Sequence, residues 1–307
     1  MGALLQVEAW RRTKRTIRVA RVAGFCFGVR RAVEMAQQAR QQRTGNLTTL
    51  GQIVHNSQVI ERLRQQGIET AETLEAVPAG TVILSAHGVA PQVLLSAKER
   101  GLDVVDVTCP FVTKVHRTAK QLIEQGYPLL LVGDPGHTEV KGVIGTIESM
   151  GGSVQLVSRP DEVSALVLGK KVGILSQTTQ MAETFTQIVA EVCRRVPDVR
   201  ACNTICGATD ELQEAAVALA REVDVVLVIG GRKSANTRRL RQLCEGEGVP
   251  AYHIETAEEI EPHWIIGKRT IGLTAGASTP DWVIEEVACA LNYGELPEEW
   301  NLQNPER

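Results

Sequence analysis

Leu102-Asp103-Val104-Val105-Asp106-Val107-Thr108-Cys109-Pro110 decides how the rest of the chain is read. Val104, Val105 and Val107 are β-branched and bounded by turn formers, so the run predicts a buried strand. Proline suits the first position of a helix, so Cys109 stands where the strand hands over to that helix. The helix shows in Val112, Val115, Ala119, Leu122 and Ile123, which recur at helical spacing. A thiol at a helix N-terminus sees the positive end of the macrodipole, which favours thiolate, and thiolate is both a nucleophile and a metal ligand.

The same plan occurs twice more. Cys26 follows the strand-like run Ile17 to Val22 and precedes a helix marked by Val29, Ala32, Val33 and Ala36. Cys206 precedes a helix marked by Leu212, Ala216, Leu219, Ala220 and Val223. A strand and then a polar loop residue follow each cysteine: His55, His137 and Ser234 stand 28 or 29 positions on. A further strand in each pass opens into Ser85-Ala86-His87-Gly88, Ser176-Gln177-Thr178-Thr179 or Ala275-Gly276-Ala277-Ser278. Strands alternating with helices predict parallel sheets with crossover helices, and ligands in such folds sit off the carboxyl ends of the strands.

The expected fold is therefore α/β, with three similar lobes of mostly parallel sheet. The lobes are read as 27–108, 109–202 and 203–292, the third completed by the N-terminal strand 17–26, with flexible ends at 1–16 and 293–307. Three such lobes in a pseudo-threefold, trefoil arrangement would bring their three thiolates to one central cavity.

Composition narrows the function. The 307 residues are 43% apolar and 22% charged with net charge −3, so no global field favours nucleic acid or an anionic membrane. Met1 to Thr16 has no sustained apolar run, and no stretch approaches a membrane span. Seven cysteines without a secretory signal indicate a reducing cytoplasm, where they serve as core filler, ligands or catalysts.

Three thiolates at one point suggest an iron–sulfur cluster. A structural cluster normally takes four cysteines, so three leave one iron open to a substrate oxygen. Cys193, Cys244 and Cys289 fall within helical patterns and read as core or inert. Cys202 stays open as a fourth ligand, which would close the site. His55, His87 and His137, with Ser234, Asn236 and Ser278, read as an anion pocket at helix N-termini. No glycine-rich nucleotide or dinucleotide signature occurs, so reducing equivalents must come from another protein. Glu139, two residues past His137 in what reads as an extended loop, reads as a proton donor or relay, and Thr178, with Gln177 and Thr179, as a group that orients a substrate hydroxyl. Helix capping is the plainer reading of both.

Nine segments carry a resemblance: Gly24-Phe-Cys26-x-Gly-Val, Gly51-Gln-Ile-Val-His55-Asn, Ser85-Ala-His87-Gly-Val, Asp106-Val-Thr-Cys109-Pro, Gly136-His137-x-Glu139-Val-x-Gly142, Ser176-Gln-Thr178-Thr, Thr204-Ile-Cys206-x-Ala-Thr209, Ser234-x-Asn236-Thr-x-Arg-Leu and Thr274-Ala-Gly-Ala-Ser278-x-Pro. In this order, from about Ile17 to Leu291, they resemble the 4-hydroxy-3-methylbut-2-enyl diphosphate reductase family. That family supplies the last step of the methylerythritol phosphate (non-mevalonate) route to isoprenoids.

The resemblance implies one [4Fe–4S] cluster on Cys26, Cys109 and Cys206, with the substrate alcohol on the open iron. It implies that His55, His87, His137, Ser234, Asn236 and Ser278 hold the diphosphate. Glu139 and Thr178, with His137, would serve the proton transfers that remove the hydroxyl as water. Protonation of the remaining allyl group at either end would give isopentenyl or dimethylallyl diphosphate. It further implies an external electron donor such as ferredoxin or flavodoxin, and a monomer or weak dimer in the cytoplasm. Two positions depart from the family pattern: Ala235 stands where relatives often carry a second serine, and Asn203 where an aspartate is common.

Three other readings compete. Quinolinate synthase is similarly a three-lobed protein with three cysteines, but its dehydration needs no electron donor. A thiol hydrolase would use Cys109, His137 and Glu139 and be colourless. A metal-stabilised binding module would bind its ligand without turnover.

Overall fold

The computed structural model describes residues 15–292. Of the two ends read as flexible, only Arg15 and Thr16 fall inside that range. The strands are β1 (Thr16–Val19), β2 (Leu47–Leu50), β3 (Ile68–Ala71), β4 (Thr81–Leu84), β5 (Asp103–Asp106), β6 (Leu129–Val132), β7 (Val154–Val157), β8 (Lys171–Ser176), β9 (Asp198–Ala201), β10 (Val225–Ile229), β11 (Ala251–Ile254) and β12 (Thr270–Ala275). The longer helices are α1 (Phe27–Gln42), α2 (Ser57–Gln65), α3 (Pro91–Glu99), α4 (Pro110–Glu124), α5 (Thr138–Ser149), α6 (Ala182–Cys193), α7 (Gly207–Ala220), α8 (Ala235–Gly246) and α9 (Asp281–Leu291).

The fold is α/β, as the sequence implies. The strands form three four-stranded sheets with every pairing parallel: β3-β2-β4-β5, β7-β6-β8-β9 and β11-β10-β12-β1. The three orders are one order repeated. In the last sheet the fourth place is taken by β1, from the opposite end of the chain, with Thr16 in register with Thr270.

Of the described residues, 15–27, 55–59 and 210–292 form one compact unit, and 28–54 with 60–209 form a second. In the first unit β10 is buried along its whole length, because parallel strands are covered on both faces. Leu212, Ala216 and Leu219 of α7, Leu240 and Cys244 of α8, and Val283, Ile284 and Val287 of α9 close over it. In the second unit Leu129, Leu131 and Leu175 pack with Val115, Ala119 and Leu122 of α4 and with Val140, Val143 and Ile147 of α5. Each buried Leu or Ile contributes about 1.5–3 kcal/mol, so these clusters fix where the strand ends lie. No helix among the described residues is long and apolar enough to cross a membrane.

Two strands have no counterpart in the sequence reading, β3 and β9. Both are sheet edges. Ile-Glu-Thr-Ala and Asp-Val-Arg-Ala keep half or more of their side chains toward solvent and show no apolar run.

Candidate functional site

The three cysteines of the repeat are fixed by one hydrogen bond made three times. Cys26 N–H donates to Ala277 O at 3.1 Å, Cys109 N–H to Ala86 O at 3.0 Å and Cys206 N–H to Thr178 O at 2.9 Å. Each acceptor is the second residue past the end of β12, β4 or β8. Cys26 immediately precedes α1, Cys109 is the N-cap of α4, and Cys206 immediately precedes α7. Every one of these thiols therefore sits at the positive end of a helix dipole.

The turn before two of them is also shared. Asp106 Oδ1 accepts the Thr108 amide at 2.9 Å, and Asn203 Oδ1 accepts the Ile205 amide at 3.0 Å. A side-chain oxygen closing a turn two residues on is available to Asp and Asn alike. Asn203 thus makes before Cys206 the turn contact that Asp106 makes before Cys109.

Glu139 is 2% exposed and lies in the first turn of α5, not in an extended loop. Its carboxylate accepts the Thr178 amide at Oε1 and the Thr178 hydroxyl at Oε2, each at 2.7 Å. Thr178, whose carbonyl receives Cys206, joins the carboxylate to a thiol ligand candidate. His137 is the N-cap of α5, and its Nδ1 accepts the Glu139 amide at 3.2 Å. An accepting Nδ1 assigns the imidazole proton to Nε2, leaving a donor for a ligand. The His87 ring stands edge-on to the His137 ring, with centroids 5.7 Å apart.

Two further side chains support this unit: Gln177, which the sequence reads beside Thr178 and Thr179, and His116, which had no signal there. Gln177, fully buried, accepts the Asp134 amide at 2.8 Å and donates to Thr179 Oγ1 at 2.8 Å, holding the loop that ends at His137. His116 Nδ1 lies 2.7 Å from Thr146 Oγ1, whose own proton goes to Gly142 O. Burial first, and then Lys120, lower the His116 pKa to about 4.

The first unit gathers His55, Ser234, Asn236 and Ser278. Ser234 caps α8, accepting the Thr237 amide at 3.2 Å. Ser278 Oγ donates to His55 O at 3.2 Å. Gly231 lies so close to the same carbonyl that an added Cβ would stand 2.1 Å from it. Asn236, one residue into α8, is 3% exposed and has neither side-chain oxygen nor nitrogen hydrogen-bonded. Such a group is costly unless a ligand completes it. Burial, with Lys233 and Arg238, lowers the His55 pKa to about 4.

The cap positions correct the spacing drawn from sequence. Asn56, whose Oδ1 accepts the Val59 amide at 3.0 Å, stands just before α2 as His137 and Ser234 stand before α5 and α8. His55 is one residue earlier, so the equivalence of His55 with those two is off by one.

Thiolates favour a cluster chemically, and no disulfide links any of the seven cysteines. Gly28 lies close against Cys109: a Cβ on it would meet the Sγ at 2.4 Å. Among the described residues no group of three or more His, Cys, Asp or Glu side chains converges as a single ion would require. A cubane gives each thiolate a different iron, so its ligands do not converge on one point. Three thiols, each at a helix N-terminus, are the donor type that an iron–sulfur cluster takes. Cys202 packs against the apolar cluster around Val115 and Leu131. Cys244 lies in the core of the first unit, where burial pushes its pKa up to about 12. Cys193, by contrast, is exposed at the end of α6 rather than core.

Comparison with known proteins points to one family. The sequence profile described as LytB protein matches residues 17–292. A 4-hydroxy-3-methylbut-2-enyl diphosphate reductase of Geobacter sulfurreducens is 46% identical over 269 residues, 88% of this chain and 94% of that protein. The enzyme of the same name from Aquifex aeolicus is 42% identical over 269 residues, 88% of this chain and 93% of its own. The solved structure of (E)-4-hydroxy-3-methyl-but-2-enyl diphosphate reductase, the terminal enzyme of the non-mevalonate pathway, is 41% identical with a TM-score of 0.67, over 91% of this chain and 99% of that one. The E-1-hydroxy-2-methyl-but-2-enyl-4-diphosphate reductase of Plasmodium falciparum superposes with a TM-score of 0.83 at 28% identity, over 88% of this chain and 86% of that one. With the profile spanning most of its length and relatives this similar throughout, the chain belongs to the LytB protein family.

Proposed function

We propose that this chain reduces (E)-4-hydroxy-3-methylbut-2-enyl diphosphate to isopentenyl and dimethylallyl diphosphate, the last step of the methylerythritol phosphate route. The reaction consumes two electrons and two protons and releases the hydroxyl as water. The observation that carries the reading is the amide bond repeated at Cys26, Cys109 and Cys206, which presents three thiols in one local geometry. Held by those three residues, a [4Fe–4S] cluster would supply electrons and a Lewis-acidic iron with no protein ligand.

The chain's own groups do the rest. Glu139 holds the proton that leaves with the hydroxyl, and Thr178 fixes the carboxyl by two hydrogen bonds. His137 offers Nε2–H as a donor while its Nδ1 is occupied. His55 and His87, with Ser234, Asn236 and Ser278, hold the diphosphate. Neutral donors at helix N-termini suit that task, and Asn236 gains the partners it lacks. With no nucleotide signature in the sequence, electrons come from an external carrier such as ferredoxin or flavodoxin. Unbridged cysteines suit a reducing cytoplasm.

The test is anaerobic purification followed by assay with a chemical reductant and a redox dye. Brown protein that converts the allylic diphosphate to the two products is expected. Colourless protein, or turnover without any electron donor, would overturn the reading.

A further inference from the structure

The groups assigned to the diphosphate on the first unit carry no formal charge. Ser234, Asn236 and Ser278 are neutral, and His55 stays uncharged at neutral pH. A diphosphate ester carries roughly two to three negative charges. Neutral donors satisfy its oxygens but leave its charge unbalanced in a partly buried site. Ala235, at the first position of α8, adds no donor at all.

Cations lie on the same loop and helix. Gly231 is pressed against the His55 carbonyl, so the segment that runs on through Arg232, Lys233 and Ser234 lies on His55. Lys233 is exposed immediately before the cap. Arg238, one turn into α8, is exposed and donates to Arg232 O at 3.2 Å, in that same loop. The neighbouring Arg232 pairs its guanidinium with Glu259 and donates to His253 O, and Glu255 accepts its amide. The charges of Lys233 and Arg238 reach the His55 ring, where they oppose protonation. Asn236, buried and without partners between them in sequence, marks independently that a polar ligand belongs here.

We infer that Lys233 and Arg238 are counter-cations for the diphosphate seated at the N-terminus of α8, drawing it in and raising its affinity without contacting the reacting carbon. This rests on the proposed reading of the site as a diphosphate pocket. Attraction through solvent is screened by salt, whereas a packing role is not.

The experiment uses the cluster-loaded enzyme and its Lys233→Gln, Arg238→Gln and Lys233→Arg variants. It measures kcat and KM against ionic strength, and the affinity for inorganic pyrophosphate by calorimetry. Each neutralised variant is expected to raise KM roughly three- to fivefold at low salt, the range of an exposed charge pair, with the loss falling on KM and not on kcat. The fall of kcat/KM with salt becomes shallower, pyrophosphate binds more weakly, and Lys233→Arg restores both. Unchanged pyrophosphate affinity and an unchanged salt slope in both neutral variants would overturn the inference. Weakened pyrophosphate binding in a protein that fails to turn over the allylic diphosphate would sustain the inference and overturn the reaction instead.

Discussion

Thr178 donates to Glu139 twice, its amide to Oε1 and its hydroxyl to Oε2, both at 2.7 Å, in a site where the carboxylate is 2% exposed. The pair behaves as one device, since the hydroxyl fixes which carboxyl oxygen faces which neighbour. Thr178→Val keeps the shape and removes one hydrogen bond to a buried charged acceptor, worth about 1.5–3 kcal/mol. The expected result is a kcat about ten- to a hundredfold lower, with Thr178→Ser near wild type. Glu139→Gln keeps both contacts possible but removes the proton, and should cost about 10²–10⁴ in kcat with the visible spectrum intact. Steady-state kinetics beside an absorption spectrum check both, and unimpaired turnover of Glu139→Gln would retire its role.

Gly28→Ala places a methyl 2.4 Å from Cys109 Sγ. Overpacking of this kind costs about 1–3 kcal/mol, and here it displaces a sulfur. Iron content and visible absorption per chain are expected to fall well below wild type. Full iron loading in the variant would show that the sulfur has room to move.

Asn203→Asp leaves an oxygen on the Ile205 amide and should change neither stability nor activity appreciably. Asn203→Ala removes the acceptor and should cost about 1 kcal/mol while loosening the turn that presents Cys206. Urea midpoints and the rate of cluster loss in air separate the two variants. Equal behaviour of both would mean the turn does not depend on that oxygen.

The histidines set a direction for pH. Burial holds both His55 and His116 down to about 4, against an ordinary value of 6.5. Above 6.5 both folded and unfolded chains carry them neutral, and they contribute nothing to pH dependence. As pH falls from 6.5 toward 4 the unfolded chain takes up protons that the folded chain refuses. Stability therefore drops, by up to about 1.4 kcal/mol per pH unit for each group. Denaturant titrations at pH 7, 6 and 5 should show the decline, and His116→Gln should make it shallower. A variant slope matching wild type would mean that His116 is protonated in the folded protein.

Much of this was legible in the sequence, and the exceptions have physical causes. Cys26 and Cys109 were legible because their junctions run from β-branched residues through turn formers to helical spacing, whereas Cys206 was legible from its helix alone, since β9 ahead of it shows no apolar run. The buried strands β4, β6 and β10 advertise themselves by apolar runs. β3 and β9 do not: they are edges, but so is β5, and what they lack is its adjacent valines; β5 itself, read as buried, is an edge strand whose Val104 and Val105 are only partly covered between exposed Asp103 and Asp106. The cap frame at His55 slipped because histidine and asparagine both read as polar loop residues, and only the Asn56 bond to Val59 tells them apart. His116 went unread, as did the hold of Gln177 on Asp134, because the partners Thr146 and Asp134 lie 30 and 43 residues away.

The pairing of β1 with β12 has a consequence for synthesis. Among the described residues β1 is the first strand to leave the ribosome and the last to find its neighbour, because β12 is made some 250 residues later. Until then the nascent segment at Thr16–Val19 must wait as an open ribbon while the two sheets encoded between can close upon themselves. Folding of the whole is thus gated by the arrival of its C-terminal third, and a tag or deletion at the head of the chain would injure a sheet encoded almost entirely at the tail.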